Sequence, residues 1–270
     1  MLGKYMSNPS ALRLDRLRCF LFDMDGTVFL GDHLLPGARE LLDLLRARQI
    51  PHYFLTNNSS RARREYYTKL RGLGLEVTLE QIFSSGQATA LYLQQRQPAA
   101  RLYLVGTPSL EQEFRQHGFS LVQDDPDYVV LGFDTTLTYA KIRRLCGFVR
   151  AGLPYLATHP DLNCPTEDGF IPDIGSMIAL VAASTGRQPD VIIGKPNPPL
   201  IAMVAQQAGF SPAEMGMVGD RLYTDIALGQ AGVRTILVLS GETRRADLPG
   251  SPFQPDLVVE DLAELLSALE

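Results

Sequence analysis

Continuous apolar runs alternate along the chain with segments that are apolar on one side only. The apolar runs are typical of strands buried on both faces of a parallel sheet. Apolar residues spaced at i, i+3, i+4 and i+7 predict helices with one buried face, as in residues 36–49. The predicted strands are 18–24, 52–57, 190–194, 215–220 and 234–240, and the predicted helices are 36–49, 61–74, 198–209 and 224–232. This alternation predicts an α/β fold with a parallel sheet covered on both faces.

The middle of the chain separates the first set of predicted strands from the second. Residues 100–106, 127–133 and 153–159 are predicted strands, and a helix from Tyr139 is predicted because Ile142, Leu145, Cys146 and Val149 have helical spacing. Residues 158–177 are polar and lack periodicity, so we expect a long irregular loop there. We therefore expect a smaller α/β domain, 87–185, inserted into a domain formed by 1–86 and 186–270.

Composition and charge exclude several classes of protein. The chain has 270 residues and a net charge of -5, which argues against a nucleic-acid-binding protein. No apolar run approaches the roughly 20 residues of a membrane span, and we expect no secretory signal. The three cysteines, Cys19, Cys146 and Cys164, are far apart and form no CxxC pair. They argue against a disulfide framework or a zinc site, so we expect a cytoplasmic protein.

Two acidic residues close the first predicted strand, in "FLFDMDGTVFLGD" (20–32). Residues i and i+2 of a strand point the same way, so we expect Asp23 and Asp25 to share a side at the ligand-binding end of the sheet. Carboxylates that close repel each other unless a cation such as Mg²⁺ joins them. An ionised carboxylate there could attack phosphorus, while Gly26 permits a tight turn. The alternative is a solvated strand end followed by an Asp-Gly turn.

Three other predicted strands also end on polar residues suited to phosphate or metal chemistry. "FLTNNSS" supplies Thr56, Asn57 and Asn58, "IIGKPNPP" supplies Lys195, and "MVGDRLYTD" supplies Asp220 and Asp225. Each group has an ordinary alternative: helix capping for the asparagines, solvation for the lysine, and an N-cap pair for the two acids. Because such residues end four predicted strands, we favour a shared site over four separate structural roles.

The order of these motifs resembles a known family. DMDGT, a strand-terminal Thr, a Lys and then GDxxxxD are similar to the haloacid dehalogenase (HAD) superfamily of aspartate-nucleophile phosphatases. "TNNS", the inserted block and "GKP" resemble its type IIA cap branch, the NagD and 4-nitrophenylphosphatase-like proteins. The resemblance implies a Rossmann-like HAD core with a parallel sheet, and it makes 87–185 an inserted α/β cap.

The resemblance also implies catalytic roles. Asp23 would attack phosphorus and form an aspartyl-phosphate. Asp25 would protonate the leaving oxygen and then deprotonate the hydrolytic water. Thr56 would bind the phosphoryl group, and Lys195 would neutralise the charge on the nucleophile and on the phosphoryl oxygens.

Metal and substrate residues follow from the same resemblance. Mg²⁺ would be held by Asp23, the backbone carbonyl of Asp25 and Asp220, with Asp225 supporting the site. The substrate would be bound by residues of the two strand ends and of the cap loop, namely Gly26, Asn57, Asn58, Lys195 and His159. His159 stands where many relatives carry Asn, and an ordinary loop histidine is its alternative interpretation.

We therefore expect a Mg²⁺-dependent phosphatase acting on a small-molecule phosphomonoester. Two alternatives stay open: a phosphotransferase or phosphomutase of the same superfamily, and a catalytically idle regulatory protein with the fold. A dinucleotide-binding enzyme lacks support, because no GxGxxG follows the first strand. The expected partner is a phosphate ester rather than nucleic acid or a membrane, and the resemblance implies a homodimer formed through the cap.

Overall fold

A computed structural model describes residues 13–166 and 169–270 of the chain. The described residues fall into two compact units. Unit 1 contains the described residues up to Phe54 together with Ala208–Glu270, and unit 2 is Leu55–Gln207. The domain limits expected from the sequence, 1–86 with 186–270 and the inserted 87–185, stay a prediction.

Strands and helices alternate through most of the described chain. The strands are β1 (Cys19–Asp23), β2 (Phe29–Leu30), β3 (His33–Leu34), β4 (His52–Thr56), β5 (Ile82–Ser84), β6 (Arg101–Val105), β7 (Ser120–Leu121), β8 (Tyr128–Leu131), β9 (Tyr155–Ala157), β10 (Asn163–Thr166), β11 (Gly169–Pro172), β12 (Val191–Ile192), β13 (Met215–Gly219), β14 (Arg234–Val238) and β15 (Leu257–Val259). The helices are α1 (Ala38–Ala47), α2 (Arg63–Gly72), α3 (Ser85–Arg96), α4 (Pro108–Gln116), α5 (Tyr139–Arg150), α6 (Ile174–Thr185), α7 (Pro198–Ala208) and α8 (Leu262–Leu269). Helices within the described ranges lack the length and apolar character that crossing a bilayer would require.

The sheet of unit 1 is parallel and is built around β1. Its strand order is β15-β14-β13-β1, and β4 lies on the other side of β1. Cys19 pairs with Met215 and Phe22 with Val218, so β1 and β13 end side by side. Every residue of β1 is buried, as its apolar sequence predicts. Because parallel neighbours end at the same edge, the polar residues that follow β1 and β13 lie near each other.

Helix α1 covers unit 1 with the face predicted from its periodicity. Its buried residues are Ala38, Leu41, Leu42 and Leu45. It packs against α8, and Arg48 after its end donates to the carbonyl of Leu269 at 2.6 Å. The amphipathic pattern therefore identifies both the helix and its buried side.

Unit 2 contains a second parallel sheet, with strand order β12-β9-β8-β6-β7. Helices α5 and α6 pack on this sheet through one apolar cluster. It comprises Tyr103, Val105, Val129, Leu131, Ile142, Leu145, Cys146, Val149, Tyr155, Ala157, Ile174, Ile178 and Val181. The predicted face of the helix from Tyr139 is thus confirmed, and so is the α/β fold class with parallel sheets.

The strand that precedes Lys195 pairs differently from the expectation. The sequence alternation groups residues 190–194 with the strands that carry the acidic motifs. In the structure β12 pairs in parallel with β9, Val191 beside Leu156 and Ile192 beside Ala157. An apolar run predicts a buried strand but not its neighbour, because pairing depends on contacts distant in sequence.

The expectation of one long irregular loop at 158–177 is wrong. Strands β10 and β11 form an antiparallel pair, with Asn163 opposite Pro172, and α6 begins at Ile174. Asp173 caps this helix, since its Oδ1 accepts from the Ile174 N–H at 2.6 Å. Both strands are short and largely exposed, so they lack the apolar alternation that marks a half-buried strand. Residues 167 and 168 of this stretch lie outside the described residues.

The predicted α-helix at 224–232 is also wrong in type. The chain forms turns and then a 3₁₀ helix at Ile226–Ala231. Two glycines, Gly229 and Gly232, occur in a segment of nine residues, and glycine weakens an α-helix. A short 3₁₀ helix satisfies such a segment with i→i+3 bonds, as in the bond from the Gly232 N–H to the Gly229 carbonyl at 3.0 Å.

Three helices of unit 2, α3, α4 and α6, were not predicted from the sequence. Helix α3 buries Ser85, Gly86, Gln87, Ala88, Thr89, Ala90, Tyr92 and Leu93. Helix α6 is apolar nearly throughout in the segment "IGSMIALVAAS". Periodicity identifies a helix only when a polar face contrasts with an apolar one.

The packing of α5 makes a prediction about stability. Leu145→Ala should reduce the free energy of unfolding by about 2–5 kcal/mol, because it leaves a cavity under a fully buried side chain. Arg143→Ala, on the exposed side of the same helix, should change it by less than about 0.5 kcal/mol. Urea denaturation followed by circular dichroism measures both. Equal losses in the two variants would contradict the assigned face.

Candidate active site

The first strand ends at Asp23, and the chain then turns sharply. Met24 is fully buried, whereas Asp25 is exposed in the turn beyond the strand. Strand β1 ends at Asp23, so the two-residue periodicity of a strand does not extend to Asp25, and a shared side for the two acids stays a prediction. Gly26 has φ +84°, and a Cβ there would lie 2.5 Å from Asp220 Oδ2. Glycine thus permits both the turn and the close approach of Asp220.

Three buried carboxylates meet beside this turn. Asp23 ends β1, Asp220 follows β13, and Asp225 lies in the turn that follows. One oxygen from each lies within 4.8 Å of the other two. Their exposed fractions are 9%, 2% and 0%. The structure therefore brings together Asp23, Asp220 and Asp225, and the carboxylate of Asp25 is outside this group.

Backbone groups orient two of these carboxylates. Asp220 Oδ2 accepts from the Glu242 N–H at 2.7 Å, and Asp225 Oδ2 accepts from the Arg221 N–H at 3.1 Å. Ser240 donates to the carbonyl of Gly26 at 3.0 Å, which links the segment after β14 to the turn after β1. The loops around Asp220 and Asp225 thus hold both carboxylates, and neither bond caps a helix as the N-cap alternative would require.

The cluster concentrates negative charge in a buried place. Burial, and then the carboxylates of Asp23 and Asp225, raise the pKa of Asp220 above its ordinary value of 3.8. Burial disfavours the charged form of Arg221, but Asp23 and Asp220 outweigh it and raise its pKa. Arg221 also pairs with Glu242, at 3.0 Å. Arg221 is a member of the site that sequence reasoning missed, although it directly follows Asp220 in the motif.

The donor set fits a hard divalent cation. Asp220 Oδ1 is buried and has no hydrogen-bond partner among the residues that the structure describes. A buried carboxylate oxygen is normally hydrogen-bonded, so an ion is a reasonable partner for it. All three side chains offer oxygen, which Mg²⁺ prefers. Asp23, Asp220 and Asp225 are therefore the residues that could hold such an ion.

A second group of predicted residues lies in unit 2, at the end of β4 and in the loop that follows. Thr56 is buried, and its Oγ1 accepts from the Asn58 N–H at 3.1 Å. Asn58 Oδ1 accepts from the N–H of Ser60 at 2.9 Å and from its hydroxyl at 2.6 Å. The Asn58 side chain thus stabilises its own loop, while the Thr56 hydroxyl proton stays available for another acceptor.

Asn57 and Lys195 contact each other directly. Asn57 Nδ2 donates to the Lys195 carbonyl at 2.9 Å, and the Lys195 N–H donates to Asn57 Oδ1 at 2.7 Å. Asn57 Nδ2 also donates to Asp161 Oδ1 and Oδ2, both at 3.1 Å. Lys195 is only 3% exposed, so the alternative of a solvated lysine is wrong. Asp161 was missed from the sequence, where it is one acid in a polar stretch.

His159 is buried within a hydrogen-bonded group. Its Nε2 lies 3.0 Å from Asp173 Oδ1, and its Nδ1 lies 3.3 Å from the Ser85 hydroxyl and 3.1 Å from that of Thr158. The side chain lies in a loop and is fully shielded from solvent, which fits the alternative of a structural loop histidine, and its role as a substrate contact stays a prediction. Ser85 and Asp173 were missed, because α3 and the start of α6 were not predicted.

Comparisons with known proteins agree with the motif pattern. A family model described as haloacid dehalogenase-like hydrolase matches residues 20–120, and one described as HAD-hydrolase-like matches residues 192–265. The acid sugar phosphatase of Staphylococcus aureus (strain MRSA252) is 33% identical over 259 residues, which cover 95% of this chain and 100% of the relative. The chain belongs to the haloacid dehalogenase-like hydrolase family.

Solved structures of haloacid dehalogenase-like phosphatases share its fold. The 4-nitrophenylphosphatase of Thermotoga maritima superposes with a TM-score of 0.93 and is 45% identical, covering 95% of this chain and 99% of its own. A glycerol phosphate phosphatase of Mycobacterium tuberculosis, solved with magnesium, has a TM-score of 0.85 and 34% identity, covering 93% of this chain and 77% of its own. The resemblance to the NagD and 4-nitrophenylphosphatase branch is confirmed, and so is the prediction of an enzyme, a HAD-type phosphoric monoester hydrolase.

The carboxylate cluster makes a prediction about stability without metal. Because the folded state raises the pKa of Asp220, it holds a proton that the unfolded chain releases as the pH rises above 3.8. Stability of the metal-free protein should therefore fall as the pH rises from 3.8 through the raised pKa. Asp220→Asn keeps an acceptor for the Glu242 N–H but removes the charge, so this variant should lose less stability over the same range.

Calorimetry in EDTA and in Mg²⁺ measures the effect. With Mg²⁺ at 100 times its Kd, the wild-type chain should gain about 2.7 kcal/mol, and Asp220→Asn should lose most of that gain. Asp43→Asn, an exposed acid on α1, is the matched control and should behave like the wild type. A full Mg²⁺ gain in Asp220→Asn would contradict the assignment of the cluster.

Proposed function

We propose that the chain is a Mg²⁺-dependent phosphatase that hydrolyses a small-molecule phosphomonoester through an aspartyl-phosphate at Asp23. The observation that carries the proposal is the group of three buried carboxylates at the end of β1, with one oxygen of Asp220 left without a hydrogen bond among the described residues. Such a group is stable in a folded protein when a cation neutralises it. The family membership supplies the reaction class.

Asp23 is the proposed nucleophile. Its carboxylate would attack phosphorus, forming the bond to the phosphoryl group as the bond to the leaving oxygen breaks. Its place at the end of a fully buried strand fixes its position, and a fixed nucleophile lowers the entropy cost of attack. This supports Asp23 over Asp25 for the role, because Asp25 lies in the turn.

Asp25 is the proposed general acid and base. It would give a proton to the leaving oxygen and later take one from the water that attacks the aspartyl-phosphate. Asp25 is exposed, and exposure supports a group that must exchange protons with solvent. Gly26 is the proposed hinge of the turn that carries it, with its backbone near the substrate phosphate.

Asp23, Asp220 and the carbonyl of Asp25 are the proposed ligands of Mg²⁺, with Asp225 holding the site together. When bound, the ion would neutralise the carboxylates and the negative charge that develops on the phosphoryl oxygens. The orphaned Asp220 oxygen and the all-oxygen donor set support Mg²⁺ over a metal that prefers sulfur or nitrogen ligands.

Residues of unit 2 are the proposed binders of the phosphoryl group. Thr56 would donate its hydroxyl proton, and the backbone N–H groups of Asn57 and Asn58 would donate beside it. Lys195 would neutralise the transferring group. Its burial supports this role, because an ammonium group in a water-poor site interacts strongly with nearby negative charge. His159 is proposed to hold the segment around it in place, because hydrogen bonds to Asp173 and Ser85 enclose its side chain.

A small polyol or sugar phosphate is the proposed substrate class. The relatives with full-length similarity carry the names acid sugar phosphatase and 4-nitrophenylphosphatase, and one structural neighbour is a glycerol phosphate phosphatase. All three names describe small monoesters. Location in the cytosol and a homodimer formed through the cap stay predictions from the sequence.

The nucleophile assignment predicts the effect of one substitution. Asp23→Asn should lower kcat for 4-nitrophenyl phosphate about 10⁴-fold or more, because an amide is a poor nucleophile of nearly the same size. Asp43→Asn should retain wild-type kcat. Steady-state hydrolysis, with a thermal melt to check folding, provides the measurement. Wild-type turnover in Asp23→Asn would remove Asp23 from the nucleophile role.

The metal assignment predicts a chelator effect. Activity should disappear in excess EDTA and return with Mg²⁺ or Mn²⁺, and zinc should not be needed. Asp220→Ala should raise the Mg²⁺ concentration for half-maximal rate about 10-fold or more, because it removes a carboxylate ligand. Asp43→Ala should leave that concentration unchanged. Full activity of the wild-type chain in excess chelator would refute the metal requirement.

A further inference from the structure

The side-chain amide of Asn57 forms hydrogen bonds with both the backbone N–H and the backbone carbonyl of Lys195. Nδ2 donates to the Lys195 carbonyl at 2.9 Å, and Oδ1 accepts from the Lys195 N–H at 2.7 Å. The remaining Nδ2 hydrogen points to Asp161, whose two oxygens are each at 3.1 Å. An amide has two N–H donors and one carbonyl acceptor, so every polar atom of this side chain is engaged.

We propose that Asn57 is a positioning residue: it acts on the reaction through the backbone of Lys195 and places the lysine ammonium for phosphoryl transfer. Asp161 fixes which way the amide points, because only the NH₂ end can face its carboxylate. The inference rests on the proposed function, in which Lys195 neutralises the phosphoryl group.

The backbone groups of Lys195 need hydrogen-bond partners from outside a sheet because of the position of Lys195 in the chain. Strand β12 ends at Ile192, so Lys195 is in the loop beyond it. In a strand, a neighbouring strand would satisfy the backbone N–H and C=O. Here the amide of Asn57, 138 positions away in sequence, provides both bonds.

The neighbouring glycine allows the amide to come this close. A Cβ on Gly194 would lie 2.6 Å from Asn57 Oδ1 and 2.8 Å from the Thr158 carbonyl. Both distances are shorter than a Cβ tolerates, so a side chain at 194 would push the amide away from Lys195. In the sequence "GKP", glycine thus precedes the lysine, and only glycine leaves room for the Asn57 amide beside the Lys195 backbone.

A buried network in turn fixes Asn57. The backbone carbonyl of Asn57 accepts a hydrogen bond from the Ser85 hydroxyl. The same hydroxyl contacts Nδ1 of His159. His159 pairs with Asp173 at 3.0 Å. All of these side chains are buried, and a buried network whose members are satisfied is rigid. The position of Asn57 is thus set from both its side chain and its backbone.

An isosteric substitution separates this role from simple packing. Asn57→Asp keeps an acceptor for the Lys195 N–H but places oxygen, instead of an N–H donor, against the Lys195 carbonyl and Asp161. We expect kcat for 4-nitrophenyl phosphate to fall about 100-fold, as for a misplaced catalytic group, with KM changed less than 3-fold. Asn197→Ala removes an amide of the same loop that bonds Gly194 instead, at 3.0 Å, and should change kcat less than 3-fold.

The double variant N57D/D161N tests which contact of Asn57 matters. It restores a donor and an acceptor between positions 57 and 161 with their roles exchanged, but not the bond to the Lys195 carbonyl. We expect kcat of the double variant to stay near that of Asn57→Asp. Recovery to the wild-type value would overturn it, because the contact with Asp161 alone would then explain the loss.

A double-mutant cycle with Lys195→Met tests whether Asn57 acts through Lys195. If Asn57 acts through Lys195, then Asn57→Asp should cost less than about 3-fold in the Lys195→Met background. The inference is overturned if the cost there is still about 100-fold, if Asn57→Asp alone keeps wild-type kcat, or if Asn197→Ala falls as far. Wild-type kcat in Lys195→Met would instead refute the proposed role of Lys195. Should Asn57→Asp fail to fold in a thermal melt, Asn57→Ala, which removes the amide and its bonds to Lys195, replaces it as the single variant and in the cycle with Lys195→Met.

Discussion

Repulsion between three buried carboxylates is the constraint on which the rest of unit 1 depends. Asp23, Asp220 and Asp225 bring oxygens within 4.8 Å of one another while almost excluded from water. Burial raises the pKa of Asp220, and the charges of Asp23 and Asp225 raise it further. A divalent cation bound there would reduce the repulsion and favour the ionised carboxylates. The same constraint thus links the stability of the site to the ionised state that the proposed nucleophile, Asp23, requires.

The parallel sheet creates this constraint by its register. Phe22 of β1 pairs with Val218 of β13, so Asp23 and Asp220 leave neighbouring strands at the same edge. Gly26 lets the turn after β1 come close to Asp220, and the Glu242 N–H orients its second oxygen. Apolar burial along both strands holds the acids in place. Chemistry at the strand ends therefore depends on hydrophobic packing behind them.

Local patterns predicted the parts of the fold in which the polarity of neighbouring residues in the sequence indicates which side chains are buried. The buried face of α1 and the apolar strand β1 follow from periodicity, and Asp23 was found because an acid is unexpected at the end of such a strand. Helix α3 was missed because it is buried almost all round, which removes the polar face that periodicity needs. Pairing of β12 with β9 and burial of His159 depend on contacts distant in sequence. Arg221, Asp161 and Asp173 were missed for the same reason, since their partners are visible only after folding.

The central claim, that the cluster is built for a divalent cation, is tested most directly by anomalous diffraction. Crystals of the chain grown with Mn²⁺ would be measured at the manganese absorption edge, with a control in Asp220→Asn. We predict an anomalous peak bonded to carboxylate oxygens of Asp23 and Asp220, which is lost or strongly reduced in the variant. A peak elsewhere, such as beside His159 and Asp173, or no peak near Asp23 at saturating Mn²⁺, would contradict the account.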